Sequence, residues 1–262
     1  MKAIENFKSL LKGVSLFFVF LLLNYPTFPQ NTDNNQVTSY LGGAITITNN
    51  GLSFIPTFSL GKPAAIFDLS VGKRLSFDPQ FRFALDGKPW SFLFWWRYKV
   101  LTTDKFSFNA GTHLGLAFKT IAESMNGIST ETITTKRYLA GELTPNYHLS
   151  KDVSVGLYYL YSRGIDVGTT KNTNFLTLNA NFSNIPLTKQ FYLKFIPQVY
   201  YLKMDHQNGF YFTSALSLAN RKIPVSITSV INKVIQTDIS ASKNFVWNLS
   251  LIYSFNKKYV GQ

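Results

Sequence analysis

Hydrophobic and polar residues alternate with a period of two along most of the chain after residue 40. The segment 90–100 shows the pattern clearly, because every second residue is large and apolar: Trp90, Phe92, Phe94, Trp96, Tyr98 and Val100. Polar or charged residues such as Ser91, Arg97 and Lys99 stand between them. Successive side chains of a β-strand point to opposite faces, so this pattern predicts strands with one apolar face.

The alternation recurs in twelve segments after residue 50. They are 53–60, 64–73, 76–85, 91–101, 105–119, 134–149, 153–162, 172–183, 190–203, 209–219, 225–234 and 244–255. Each is close to or above the about 9–11 residues that a tilted strand needs to cross a bilayer. A further segment, 40–48, is joined to 53–60 by Asn49-Asn50-Gly51, a sequence typical of tight turns.

The composition of the two faces indicates the fold class. The apolar face carries aromatic rings in strand after strand, and the other face carries Gly, Ser, Asn, Gln and scattered charges. That division is typical of a barrel with lipid outside and a polar lumen inside. We predict an all-β fold, an antiparallel transmembrane β-barrel of about 12 strands, with about 10–14 compatible with the pattern. A soluble β-sandwich or lipocalin-like barrel is the alternative.

Long and short connections alternate along the chain. The long ones are 121–133, 163–171, 205–208 and 235–243, and the short ones are 150–151, 184–189 and 220–224. In bacterial barrels the long loops face outside and the short turns face the periplasm. An even number of strands then places both termini in the periplasm. We therefore predict that 53–60 is the first strand and that 40–48 is its extension, a periplasmic lead-in or a lumen insert.

The N-terminal residues have the features of a secretory signal peptide. Lys2, Lys8 and Lys12 precede an apolar run over 14–23, and prolines follow it. The run is too short for the about 20 residues of a spanning helix, which makes an N-terminal anchor the weaker alternative. We predict a signal peptide over 1–30, a polar linker over 31–39 and the barrel over 40–262.

Composition agrees with an exported membrane protein. Charged residues make up 15% of the chain, against about 25% in soluble domains. The chain has no cysteine, which excludes disulfides and thiolate metal sites. Its net charge is +13, but an exported chain does not meet nucleic acid, so we expect no nucleic-acid partner. The cations are instead expected to meet lipopolysaccharide phosphates or to lie in the lumen.

Several charged residues fall on the polar face and are predicted to face the lumen. They are Asp68, Asp78, Arg82, Arg97, Lys99, Glu142 and Lys194. Such charges either form pairs, for example between neighbours such as Asp78 and Arg82, and so fill a narrow lumen, or they line a weakly anion-selective pore. His113 lies on the same face, where a hydrogen-bonding role is expected.

One pair of residues suggests catalysis. His148 and Ser150 have the H-x-S spacing of phospholipase-type and lipid A deacylase-type barrels, which places both side chains on one face of a strand. The pair leads into a short turn assigned to the periplasm, away from an outer-leaflet substrate. No metal-ligand cluster or cofactor motif is present in the sequence. We therefore expect a non-enzymatic protein with no catalytic residue, metal or cofactor.

Two aromatic clusters are typical of membrane barrels. Trp90, Trp95, Trp96 and Tyr98 are predicted to form an interfacial girdle at headgroup depth. The last predicted strand carries Trp247, Leu249, Leu251, Tyr253 and Phe255 at alternate positions. This ending resembles the C-terminal assembly signal of bacterial outer-membrane barrels, although residues 256–262 follow it. The signal peptide and the many Asn, Lys and Tyr residues resemble proteins of Bacteroidota, especially flavobacteria.

The resemblance implies a location in the cell outer membrane and a set of partners. These are outer-membrane lipid and lipopolysaccharide, the outer-membrane assembly machinery and other outer-membrane subunits. The first functional hypothesis is a non-enzymatic structural or accessory component of an outer-membrane assembly. The alternative is a narrow, porin-like channel for small solutes, and a lipid-modifying acyl hydrolase ranks third.

Overall fold

Twelve antiparallel strands form one closed barrel in the computed structural model, which describes residues 38–125 and 128–260. The strands are β1 (Thr38–Thr48), β2 (Ala64–Gly72), β3 (Leu75–Ala84), β4 (Pro89–Thr102), β5 (Phe106–Met125), β6 (Ile128–His148), β7 (Val153–Gly164), β8 (Thr173–Pro186), β9 (Phe191–Met204), β10 (Gln207–Asn220), β11 (Val225–Thr237) and β12 (Phe245–Val260). A 3-10 helix covers Pro56–Phe58. The described residues contain no helix of the length and hydropathy needed to span a membrane. The predicted signal peptide and most of the linker lie outside the described residues.

The barrel closes where the first and last strands pair. β1 pairs with β12 from Thr38↔Val260 to Thr48↔Ser250, and its other edge pairs with β2. The ring of Phe255 covers its partner Gly43, since a Cβ on Gly43 would lie 2.8 Å from the Cζ atom of that ring. Among the twelve strands that the structure describes, none is left without a neighbour on either side, as lipid requires. The predicted fold class is confirmed.

The two faces of each strand differ as the alternation predicts. Along β12, Trp247, Leu249 and Leu251 point outward and are exposed, whereas Asn248 and Ser250 between them are buried inside. Outward-pointing Leu, Ile, Val, Phe and Tyr residues are exposed on the other strands as well. Exposed side chains of this kind around the whole barrel suit a hydrocarbon surrounding rather than water.

The prediction for the first strand is wrong. Segment 40–48 lies within β1, whereas segment 53–60 belongs to a loop, residues 49–63, which folds into the barrel and is called here the lumen insert. Pro56 cannot donate a ladder hydrogen bond and begins the 3-10 helix. Asn49-Asn50-Gly51 does not form a two-residue hairpin, because Gly51 bonds to the far side of the insert through Leu60 and Lys62.

Three strands, β5, β6 and β12, extend beyond their predicted ends by five residues or more. β5 and β6 run on to Met125 and Ile128, so most of the predicted loop 121–133 is a paired hairpin. β12 continues past Phe255 to Val260, so residues 256–260 are strand rather than a tail. Beyond the lipid both faces of a strand meet water, and the apolar alternation therefore stops while the backbone pairing continues.

The two ends of the barrel differ in their connections. One end, called here the terminal end, carries the start of β1, the end of β12 and turns of two to four residues such as 73–74, 103–105 and 149–152. The opposite end, called here the loop end, carries the 15-residue lumen insert (residues 49–63) and the loops 165–172 and 238–244. The even strand number places the start of β1 and the end of β12 at the same end of the barrel.

The four tryptophans allow a test of the two faces. Trp96 and Trp247 are each 50% exposed on the outside, whereas Trp90 and Trp95 are 5% and 7% exposed inside. In vesicles with brominated acyl chains, we expect strong fluorescence quenching in single-tryptophan variants that keep Trp96 or Trp247. Variants that keep only Trp90 or Trp95, with the other tryptophans changed to Phe, serve as controls and should be quenched weakly. Equal quenching of Trp95 and Trp96 would contradict the arrangement.

Candidate functional site

A cavity of about 710 Å³ lies in the lumen, between the lumen insert and the surrounding strands. Its wall includes residues of β2 to β8, β11 and β12. Charged and aromatic side chains share the wall: Asp68, Asp78, Arg82, Arg97, Trp95, Tyr138, Tyr158 and Phe175. We call it the lumen cavity. A cavity lined by apolar, aromatic and charged side chains inside a lipid-facing barrel is the candidate functional site.

Arg97 forms the central ion network of the lumen cavity. Its Nε donates to Oε1 of Glu142 at 2.6 Å, and its Nη1 donates to Oδ2 of Asp78 at 3.1 Å. Arg97, Gly111 and Glu142 lie in one row across β4, β5 and β6. A Cβ on Gly111 would lie 2.9 Å from Oε1 of Glu142 and 3.1 Å from Cγ of Arg97. Glycine therefore gives Arg97 the space to reach across β5.

Each lumen carboxylate has further hydrogen bonds. Oδ1 of Asp78 accepts from Ser70 at 2.5 Å. Oε2 of Glu142 accepts from the hydroxyl of Tyr158 at 2.8 Å. Because a buried charge without partners has a large desolvation cost, these bonds stabilise the ionised groups.

Asp68 is bonded too, since the side-chain amide of Gln80 donates to it. The predicted pairing of Asp78 with Arg82 does not form. The two residues are four positions apart on β3, about 13 Å along a strand, and Asp78 instead contacts Arg97.

Arg82 has a different environment from Arg97. Its guanidinium carbon lies 5.1 Å from the centre of the Trp90 ring. Trp90 is held in turn by a 2.7 Å hydrogen bond from its Nε1 to the carbonyl of Phe58 in the lumen insert. Among the described residues Arg82 has no hydrogen-bond or ion-pair partner. It faces the lumen cavity as an uncommitted cation.

Two residues of the predicted girdle lie inside the barrel instead. A register shift between Arg82 and Phe83 leaves Trp90 without a partner on β3, which turns its ring inward. Trp95 faces inward by simple alternation. Its ring centre lies 4.1 Å from that of His113 and 4.4 Å from the guanidinium carbon of Arg97. The girdle prediction is wrong for these two tryptophans. Trp96 and Tyr98 point outward and are exposed, and for them it stays a prediction.

The other predicted lumen residues are spread along the barrel. His113 is buried on the inner face of β5, where Gly115 leaves room for its ring. Lys99 lies near the terminal end with its Nζ 5.0 Å from the centre of the Tyr40 ring. Lys194 lies near the same end, 5.8 Å from the ring of Tyr192. Neither lysine lines the lumen cavity.

Aromatic packing fixes the lumen insert. Phe54 stacks on Phe175 at 6.4 Å between ring centres and lies 5.9 Å from Tyr200. The hydroxyl of Tyr200 donates to Oδ1 of Asn232 at 2.9 Å, and the carbonyl oxygen of Phe54 lies 3.3 Å from the same hydroxyl. Tyr200 also stacks on Tyr211 at 4.7 Å. The alternation pattern did not predict this cluster, although large aromatic residues on the otherwise polar face were a signal for it.

An ion pair holds the foot of the insert at the loop end. Nζ of Lys62 lies 2.7 Å from Oδ2 of Asp86 in the β3–β4 loop. The hydrogen bond from Lys62, together with one from the backbone of Lys88, lowers the pKa of Asp86. The pair is exposed, so its contribution to stability is small.

The H-x-S pair has the geometry of a turn. The hydroxyl of Ser150 accepts hydrogen bonds from the backbone N–H groups of Asp152 and Val153, at 3.3 and 3.1 Å. Nε2 of His148 lies 3.3 Å from the hydroxyl of Ser107, not of Ser150. The turn belongs to the terminal end. Among the described residues no group of His, Asp and Glu could hold a metal ion.

Comparisons with known proteins bear on the fold. No protein-family model matches the sequence, and no curated protein matches it. The KdgM porin, solved in complex with disordered oligogalacturonate, is 13% identical with a TM-score of 0.51, and the match covers 82% of this chain and 99% of that one. The chain has the fold of an outer-membrane β-barrel.

Two further solved structures are similar to a lower degree. An outer-membrane channel from Pseudomonas putida F1 is 11% identical with a TM-score of 0.46, over 88% of this chain and 100% of that one. The NanC porin is 12% identical with a TM-score of 0.42, and the match covers 85% of this chain and 100% of that one. At these identities the likeness concerns the fold.

The ion network can be tested by a double-mutant cycle. Arg97→Met leaves two carboxylates without their cation, and we expect a loss of about 3 kcal/mol in the free energy of unfolding. Glu142→Gln should cost less, because the amide still bonds to Tyr158. The double variant should lose about 1–2 kcal/mol less than the sum of the single losses. Urea unfolding in detergent micelles measures all three.

Lys203→Met is the matched control, because this exposed lysine has no ion pair with a described residue. It should change stability by less than about 0.5 kcal/mol. Additive losses in the cycle would show that Arg97 and Glu142 do not interact.

Proposed function

We propose that this protein is a narrow outer-membrane channel for small solutes, constricted by the lumen insert. The observation that carries the proposal is the lumen cavity, about 710 Å³ in volume and lined by charged and polar groups inside a closed, lipid-facing barrel. A barrel that serves only as a scaffold needs no such space. Twelve strands give a lumen wide enough for a small solute, which an inserted loop then narrows.

The lumen insert has the features of a built constriction. It is closed at its base by backbone hydrogen bonds of Gly51 with Leu60 and Lys62, both at 2.8 Å. Its apolar residues pack on lumen aromatics, and Phe58 lies 4.7 Å from the ring of Tyr138. A loop folded inward in this way narrows the lumen and so restricts the size of a solute that can pass.

The orientation and partners follow as part of the proposal. The short turns of the terminal end would face the periplasm, and the loop end would face outside, as is general for bacterial barrels. Trp96 and Tyr98 would contact lipid headgroups, with lipopolysaccharide near the loop end. The assembly machinery would recognise β12 through Trp247 to Phe255.

On the sequence alone, a structural or accessory role was the first hypothesis. The lumen cavity favours the channel over that role, and the fold shared with the KdgM porin supports it. A non-enzymatic function is part of the proposal, since Ser150 is committed to a turn.

Single-channel recording in planar bilayers tests the proposal. We expect discrete conductance steps from the folded protein, because ions can follow the polar lumen. Replacement of residues 52–59 by two glycines, which joins Gly51 to Leu60 across the closed base of the insert, should raise the conductance several-fold. Leu178→Ala, an exposed outer-face residue, is the control and should leave the conductance unchanged.

Folded protein without conductance, in both the parent and the insert-deleted form, would contradict the channel and favour the structural role. The folded state is verified by the shift in electrophoretic mobility on heating. Equal conductance in the two forms would contradict the constriction alone.

A further inference from the structure

The charged groups of the lumen cavity differ in whether their bonds are already made. Asp68, Asp78 and Glu142 each accept hydrogen bonds. Arg97 donates hydrogen bonds to two of these carboxylates, Asp78 and Glu142. Arg82 alone of these five has no such bond to a described residue. The group left to recognise a solute is therefore a cation, although the wall of the lumen cavity holds as many carboxylates (Asp68 and Asp78) as guanidinium groups.

The guanidinium of Arg82 is held ready for a ligand. It lies over the Trp90 ring, 5.1 Å from its centre, and Trp90 is fixed by its bond to Phe58. Stacking occupies one face of the guanidinium and leaves its N–H groups, which lie in the plane, free to donate. A planar fork of donors matches the two oxygens of a carboxylate or a phosphate.

A second donor lies beside it. Ser91 is paired with Arg82 in the register of β3 and β4, and both residues line the lumen cavity. Ser91 is 5% exposed, and its hydroxyl has no hydrogen-bond partner among the described residues. A buried hydroxyl without a partner has an energetic cost that a ligand oxygen would remove.

The rest of the wall suits the body of an organic molecule. The rings of Phe58 and Tyr138 belong to the wall of the lumen cavity and pack edge to face. The carbonyl of Phe58 accepts the hydrogen bond of Trp90, the ring that stacks on Arg82. Aromatic faces bind rings and CH groups through dispersion and burial. The volume of about 710 Å³ is within the range of small-molecule sites.

We infer that the lumen cavity holds a binding site for small organic anions, in which Arg82 and Ser91 bind a carboxylate or phosphate group and the aromatic wall holds the body. The inference rests on the proposed channel for the route by which a solute reaches the site. It makes the protein selective for the chemical class of its solute, beyond the size limit set by the lumen insert.

Calorimetric titration of the folded, detergent-solubilised protein with benzoate tests the site. We expect saturable binding of benzoate, and binding of the neutral isostere benzamide at least tenfold weaker. Phenyl phosphate, titrated in parallel, distinguishes a site that prefers carboxylate from one that prefers phosphate. Equal binding of benzoate and benzamide, or no saturable binding of either anion, would overturn the inference.

Variants locate the binding to Arg82. Arg82→Gln should weaken benzoate binding by at least tenfold, and Arg82→Lys by less, because the charge remains while the planar fork is lost. Asp68→Asn should strengthen binding, because it removes a negative charge two residue pairs from Arg82 in the register of β2 and β3. Arg163→Gln, an exposed arginine outside the lumen cavity, is the matched control and should bind as the parent does.

Unchanged affinity in Arg82→Gln, or weaker binding in Asp68→Asn, would contradict the site. The channel and the site fail separately. Binding that depends on Arg82 without conductance would remove the channel and keep the site. Conductance without such binding would keep the channel and remove the site.

Discussion

A backbone in lipid must find every hydrogen-bond partner within the protein, because the hydrocarbon offers no water. In this chain the pairing of β1 with β12, from Thr38↔Val260 to Thr48↔Ser250, meets that requirement by joining the two ends of the sheet. Closure fixes each strand between two neighbours and so sends alternate side chains to lipid and to the lumen. The lumen insert, the ion network and the lumen cavity exist only because this ring is complete.

The lumen brings several charges close together, and the strand register decides which of them are paired. Arg97, Gly111 and Glu142 fall in one row, so a glycine in the middle strand gives the guanidinium its route to the carboxylate. Arg82 lies outside this row, on β3, next to a register shift that places the Trp90 ring against its guanidinium. Two arginines of the same inner face therefore have opposite roles: one stabilises the wall, and the other remains available to a solute.

The alternation of residues was sufficient to predict the fold class, the strand number and the inner position of Asp68, Asp78, Arg97 and Glu142. It failed at 53–60, because a period of two in a short segment does not distinguish a strand from a loop packed in a lumen. Phe54 met its partners Phe175 and Tyr200 across the barrel, more than 100 residues away in sequence. The alternation also failed at Trp90, because one extra residue in a strand changes the face to which the following side chains point.

The sequence by itself determined that this chain is a membrane barrel, because the contrast between an aromatic face and a polar face is local and repeats in every strand. It also determined which charges face inward, since that depends only on counting residues along one strand. Only the tertiary structure decided which inward groups meet. Asp78 pairs with Arg97, which also bonds to Glu142, and does not pair with Arg82. Contacts across a lumen depend on register, on bulges and on the space left by glycine.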